Sequence, residues 1–446
     1  MNISLEILAV AAGVLALFAA GCTSNRPFRT SFTPSDPAQT GATGAGPVIE
    51  STADYKLGFV EFDDQGWYWN PRQAKAVEEM IREEAGIGRS NNSRGIVIVV
   101  FVHGWKNNAA VNNTNVVMFR STLAQLNGAE LAQTNHVPRR IVGVYAGWRG
   151  LSATLEPFKE LSFWNRKNTA HKVGGAGALT ELLVELENLQ KAGNKSLPPD
   201  APPTELILVG HSFGAAAVYS ALSEIVTERF VDTVPEGRPL KPLGDQIILL
   251  NPAFEASRHF NLNQLAVIVG HYPESQRPVL SIFTSKGDWA THYFFPLGQF
   301  FATLFEKNRD AQQRNANLDA VGWFEPFVTH DLIYNTNISA EALTGRNSTF
   351  NPATKAHELH KPNQWRASID NVRAQREKWR PNNPATTNYF DDSILAPRGN
   401  YRPGDPFPVV SVDTKIMKDH DDIANPVIIN FLAEYIMFCR TDPRGQ

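Results

Sequence analysis

The sequence has almost no cysteine: Cys22 and Cys439 are the only two in 446 residues. That excludes a disulfide framework and the small secreted scaffolds that depend on one. It also lacks a charge excess. Lys and Arg number 42 against 45 Asp and Glu, and a net charge of −3 leaves no electrostatic footprint for nucleic acid. The longest apolar run, Ile7 to Ala20, covers 14 residues, short of the roughly 20 that a spanning helix needs. No internal repeat is visible, which removes solenoids and propellers. What remains is a chain long enough for a large core, with 42% hydrophobic and 20% charged residues, the ordinary balance of a globular protein.

The 14-residue run has the length of a signal-peptide core. It ends Ala19-Ala20-Gly21-Cys22, which resembles the lipobox of bacterial lipoproteins. The resemblance implies a signal peptide over 1–21, cleavage before Cys22 and a lipid on that cysteine. The protein would then sit in the bacterial cell envelope, anchored to a membrane and facing outside the cytoplasm. Ala19 stands where leucine is commoner, and no Lys or Arg precedes the apolar core. From Thr23 to about Ala53 the chain is rich in Ser, Thr, Pro and Gly without apolar periodicity. Residues 22–53 therefore read as a lipidated cysteine plus a flexible tether, and 54–446 as a single domain.

Within that domain, strands and helices alternate. Leu57–Phe62 and Trp67–Trp69 flank the turn Asp63-Asp64-Gln65-Gly66 and read as an opening hairpin. Asn70-Pro71 starts a helix with a buried stripe at Ala74, Val77, Ile81 and Ala85, and Gly86 ends it. Ile96–Val102 is apolar on both faces, as a central parallel strand should be. A helix over Val111–Leu131, a strand at Ile141–Ala146, and a leucine stripe at 179, 182, 183, 186 and 189 follow. The fold class is α/β, with a doubly wound, mostly parallel central sheet.

The stretch Leu206–Val209 reads as a strand, Ala215–Leu222 as a helix, and Gly210-His211-Ser212-Phe213-Gly214 lies between them. A G-x-S-x-G sequence at a strand-to-helix turn is what a nucleophile elbow requires. Gly210 and Gly214 let strand and helix approach without a Cβ clash. Downstream, the strands Asp245–Leu250 and Val279–Phe283 end at carboxylates, Glu255 and Asp288. Val409–Asp413 is the last strand and Ile423–Phe438 the last helix, with His420 between them.

With these residues the chain resembles the α/β-hydrolase superfamily, in its serine esterase and lipase branch. The resemblance implies a triad of Ser212, Asp288 and His420, in the family's order of serine, acid and base. It implies an oxyanion hole from the backbone N–H groups of Trp105 and Phe213. Glu255 is the runner-up acid and His330 the runner-up base. The activity implied is cleavage of carboxylic esters, lipid esters among the candidates, through an acyl-enzyme. Amidase, peptidase or thioesterase chemistry on the same triad is the alternative, as is an inactive binding lipoprotein of this fold. The triad needs no metal or organic cofactor. His357 and His360 have i, i+3 spacing but no third ligand near them in sequence, so no metal site is expected. The partners expected are a small-molecule or lipid acyl substrate and, through the anchor, a membrane; the oligomeric state is not legible. His103 is expected to shape the oxyanion loop. Arg149–Lys172 reads equally as a substrate wall or a surface excursion. The segment at about 289–408 reads as an insertion, its first part, Trp289–Phe305, as a core helix or an apolar cap over an acyl pocket.

Overall fold

A computed structural model describes residues 25–37, 46–88, 93–133, 137–152, 158–335, 350–351, 356–357 and 387–440. The signal-peptide segment, Cys22 and His360 lie outside them. Strands that are apolar on both faces must be covered on both, and the chain supplies helices accordingly. Three short strands come first: β1 (Arg29–Ser31), β2 (Gly46–Pro47) and β3 (Ile49–Ser51). Then come β4 (Tyr55–Glu61), α1 (Pro71–Ala85), β5 (Ile96–Val102), α2 (Thr114–Leu131), β6 (Arg140–Gly147), α3 (Phe158–Gly175) and α4 (Ala178–Lys195). The second half adds β7 (Glu205–His211), α5 (Phe213–Thr233), β8 (Gln246–Leu250), α6 (Ala256–Val269) and β9 (Leu280–Ser285). A π-turn at Ala290–Phe294 leads into α7 (Phe295–Ala302), then α8 (Ala311–Leu318) and β10 (His330–Tyr334). A separate pair, β11 (Phe350–Asn351) and β12 (Ala356–His357), precedes β13 (Asn388–Tyr389), β14 (Ser393–Pro397), β15 (Val409–Val412) and α9 (Pro426–Cys439).

The main sheet runs β13-β14-β10-β15-β9-β8-β7-β5-β6-β4-β3. From β10 to β4 every neighbouring pair is parallel; the β10–β14 and β14–β13 pairs at one edge and the β4–β3 pair at the other are antiparallel. The expected α/β class with a mostly parallel sheet is what forms. The connection from β5 runs outward to β6, whereas that from β7 runs the other way to β8. Such a reversal sends the following helices to opposite faces and opens a crevice at the carboxyl ends of the two strands. Accordingly α5 joins α1, α4 and α6 on one face, and α2 packs with α9 on the other. The crevice between β5 and β7 is where the loop after β5 meets the β7–α5 turn.

Three sequence expectations need correction. Phe62 and Tyr68 make only a single antiparallel bridge; β4 instead pairs with β3 and, in parallel, with β6. The tether also ends far earlier than Ala53. Arg29 is fully buried; its Nη1 lies 2.7 Å from Glu50 Oε1, its Nε donates to the Ala109 carbonyl at 2.6 Å, and its guanidinium lies 3.5 Å from the Phe59 ring centroid. The Phe28 and Arg29 N–H groups both donate to the Glu61 carboxylate at 2.8 Å. Composition reports average chain flexibility and is blind to one arginine that finds two buried carboxylates. The segment expected as an insertion likewise contributes to the sheet, because β10 pairs with β15 and β14 with β10.

Glu50 also accepts from Arg120 Nε at 2.8 Å, so losing Arg29 leaves this buried carboxylate with one of its two cationic partners, at about 1–3 kcal/mol. Arg29→Ala should therefore lower stability by about that amount, read as a fall in the urea midpoint at constant slope. A change below about 1 kcal/mol, the surface-pair value, would mean that Arg29 does not tie its segment to the domain.

Candidate active site

Ser212 stands between β7 and α5 at φ 55°, ψ −120°, a conformation that costs a side-chain-bearing residue about 1–3 kcal/mol. Its surroundings enforce it. A Cβ on Gly210 would lie 2.6 Å from the Ala215 Cα, and one on Gly214 would lie 2.0 Å from the Val102 carbonyl oxygen. The helix thus starts jammed against the ends of its own strand and of β5. A Cβ on Gly104 would lie 2.7 Å from the Ser212 Cβ, so the loop after β5 passes directly over the serine.

Three distant segments bring their side chains to this turn. His420 Nε2 lies 2.8 Å from Ser212 Oγ, and His420 Nδ1 lies 2.9 Å from Asp288 Oδ1. Asp288 is fully buried at the turn after β9; it also accepts from the Thr291 N–H at 3.0 Å and from the Thr291 hydroxyl. Burial alone would raise the Asp288 pKa, but the His420 ring and the Thr291 donors outweigh it and hold it below 3.8. For His420 burial would lower the pKa; the carboxylate of Asp288, helped by Asp421 and Asp419, outweighs it and the net direction is up from 6.5. With an ionised carboxylate accepting at Nδ1–H, the Nε2 lone pair is left to accept the Ser212 proton.

The histidine loop is held by residues that sequence reasoning had given no part. Asn251, at the end of β8, donates from Nδ2 to the His420 carbonyl at 2.9 Å and to that of Asp419 at 3.2 Å. Its Oδ1 accepts from the Ser285 N–H at 2.9 Å. His211 donates from Nε2 to the same His420 carbonyl at 2.9 Å, while its buried Nδ1 has no partner among the described residues. Burial, then the neighbouring His420, lowers the His211 pKa to about 4, so it stays neutral. Gly287 lets the loops close, since a Cβ there would lie 2.0 Å from the Lys418 carbonyl oxygen. The described non-glycine residues with positive φ are Lys106, Ser212 and Asn251, all at the carboxyl ends of β5, β7 and β8. Clustered strain of this kind marks functional sites. An asparagine ending a central strand was the available signal for Asn251.

The loop after β5 is shaped by His103. Its Nδ1–H donates to the Gly104 carbonyl at 2.9 Å and its Nε2 accepts from the Trp148 N–H at 3.0 Å. Burial lowers its pKa to about 4, and the ring stacks on Trp148 at 4°. The Trp105 and Phe213 N–H groups take no acceptor among the described residues, so both donors are free for a ligand.

Neither runner-up reaches the site. Glu255 is ion-paired with Lys167 and Arg258 and accepts from Gln299; burial would raise its pKa, but Lys167 and Arg258 bring it down to about 2. His330 opens β10, so it lies toward the amino ends of the parallel strands, the edge opposite Ser212. There its Nδ1 meets the Thr329 hydroxyl at 2.8 Å.

The cleft over Ser212 encloses about 1410 Å³, above the roughly 300–1,000 Å³ of ordinary ligand pockets. One wall is aromatic: Trp105, Phe163 and Trp164 run on to Trp289, Phe294, Leu297 and Phe301. Edge-to-face contacts tie it together, with Phe163 5.2 Å from Trp105 and 4.8 Å from Trp164. The other wall is polar, from the Asn112–Asn115 entry to α2 and the Asp421–Asn425 entry to α9. Phe163 and Trp164 place the 149–172 segment in the aromatic wall. Among the described residues His211, His420 and Asp421 have ligand atoms close enough for a metal, but both histidines are already hydrogen-bonded as above.

No family model matches the chain, and no curated protein matches it. Among solved structures it is similar to Trichoderma reesei cutinase in complex with a C11Y4 phosphonate inhibitor, at 18% identity over 41% of this chain and 67% of that one, with a TM-score of 0.17. A likeness that slight leaves the function to be argued from the geometry.

Because the Asp288 charge is what raises the His420 pKa, Asp288→Asn should move the His420 titration seen by NMR to lower pH. An unchanged titration would mean that Asp288 is not its electrostatic partner.

Proposed function

We propose that this protein is a serine hydrolase of the α/β-hydrolase superfamily that cleaves carboxylic esters, lipid esters among them. The observation that carries the reading is the hydrogen-bonded chain Ser212–His420–Asp288 on a strand-to-helix turn with the serine at positive φ. In this reading Ser212 Oγ attacks the ester carbonyl carbon as His420 Nε2 takes its proton. The carbonyl oxygen becomes an oxyanion and accepts from the Trp105 and Phe213 N–H groups, a contribution of about 3–4 kcal/mol per donor. Collapse breaks the bond to the alcohol oxygen, which takes the proton from His420 and leaves. Water, deprotonated by His420, then attacks the acyl-serine, and the products are a carboxylic acid and the free serine. Asp288 orients the imidazole and stabilises its charged form throughout.

The ester preference is supported by the cleft. An aromatic wall suits an apolar acyl group through area burial at about 25 cal/mol per Å², and it offers few partners for a peptide backbone. The lipoprotein reading stands beside it as a proposal: Cys22 carries the lipid, and the domain works outside the cytoplasm at a membrane of the bacterial envelope. No helix among the described residues is long and apolar enough to cross a membrane.

A fluorophosphonate should label the protein at Ser212, and Ser212→Ala should abolish labelling and cut ester turnover by about 10⁶-fold. Labelling that survives this change would remove the reading. Because His420 must be neutral to act as base, kcat/KM should rise with pH through a pKa above 6.5 and then level. A rate that falls over that interval would mean that the protonated form of His420 is the active one.

A further inference from the structure

The aromatic wall does not stop at the cleft. It continues over the outer surface, where Trp289 is 59% exposed, Leu297 58%, Phe301 68% and Phe305 94%. Single exposed apolar side chains need no explanation, but a contiguous run of them marks a contact surface. From Trp289 to Phe305 the sequence contains no Asp, Glu, Lys or Arg. Trp289, Leu297 and Phe301 also line the cleft that holds Ser212, so the exposed strip and the site form one continuous surface.

The place where the chain enters the domain bears on what covers that strip. Phe28 and Arg29 are clamped to Glu61, the last residue of β4, and Arg29 also to Ala109 in the loop after β5. Both clamps lie at the carboxyl edge of the parallel strands, the edge that carries Ser212. Cys22 is six residues from Phe28, and six extended residues reach about 20 Å. A domain of this size is roughly 55 Å across. A lipid on Cys22 is therefore leashed to the active-site edge and cannot serve the opposite one.

We propose that the Trp289–Phe305 strip docks on the bilayer that holds Cys22, so that the cleft opens onto the lipid surface. This rests on the anchored-hydrolase reading above and names the source of its substrate, an ester carried in that same membrane. A lipid surface fits better than a protein partner because the strip carries no charge to complement. Tryptophan and tyrosine at its edge also suit the headgroup region. The leash brings the bilayer to this edge without a diffusional search.

The full chain on phosphatidylcholine–phosphatidylglycerol vesicles containing nitroxide-labelled lipid tests this. An environment-sensitive fluorophore is placed at Phe305→Cys or, as control, at Asp200→Cys, which precedes β7 and so lies toward the opposite edge; Cys439 is buried. Quenching should be strong at 305 and at background at 200; equal quenching at the two positions overturns the docking. In a second measurement Phe305→Asp should lower turnover of a vesicle-borne lipid ester by about tenfold, the effect of one buried apolar side chain. Turnover of a soluble short-chain ester should stay the same. Equal turnover of the vesicle-borne ester by variant and wild type overturns the docking. A wild type inert toward both esters would instead sink the hydrolase reading, and the quenching result would still decide the docking.

Discussion

The site depends on one steric constraint, the collision course of β7, α5 and the end of β5. With Gly214 against the Val102 carbonyl and Gly104 against the Ser212 side chain, no room remains for a gradual turn. The backbone reverses within one residue, and that residue is held at φ 55°. The strain has a chemical consequence: it projects Ser212 out of the strand into the crevice where chain order reverses. Buried strands on either side supply the packing that offsets the cost. A turn relaxed enough to need no glycine would leave the serine within the helix, away from the histidine.

Placing the serine is only half of the problem, since its histidine partner arrives from a loop 208 residues further on. Two contacts to the His420 carbonyl, from Asn251 and from a neutral His211, fix the main chain of that loop. Asp288 fixes the ring. The division has a physical basis. Held by its carbonyl, His420 keeps both ring nitrogens for chemistry. Held low in pKa by burial, His211 does not compete for protons near neutrality.

Much of this was legible in the sequence, and the parts that were not have identifiable causes. Ser212, its glycines and the apolar strands are local patterns, and local sterics write them directly into neighbouring residues. Asp288 and His420 came from the order that the family resemblance implies, and the parallel sheet delivers both of their loops to the edge that carries Ser212. Asn251 escaped because its role joins three segments, at 251, 285 and 419–420, that only the fold brings together. Arg29 escaped for the same reason: nothing in a Ser- and Pro-rich stretch announces that Glu50 and Glu61 will close around one arginine. The strands β10 and β14, just inside the β13 edge, are short and partly polar, and so carry little periodic signal. Their assignment to an insertion was a failure of pattern rather than of chemistry.

The central claim is that Ser212 and the two backbone donors form one acyl-transfer site. A crystal structure of the protein inactivated by an alkyl phosphonate tests it most directly, because the tetrahedral phosphorus stands in for the acyl carbon at attack. Density should run continuously from Ser212 Oγ to phosphorus. The phosphoryl oxygen should lie within hydrogen-bond reach, about 2.7–3.1 Å, of both the Trp105 and Phe213 nitrogens, with the alkyl chain along the aromatic wall. Phosphorus bound elsewhere, or a phosphoryl oxygen turned away from both nitrogens, would contradict it.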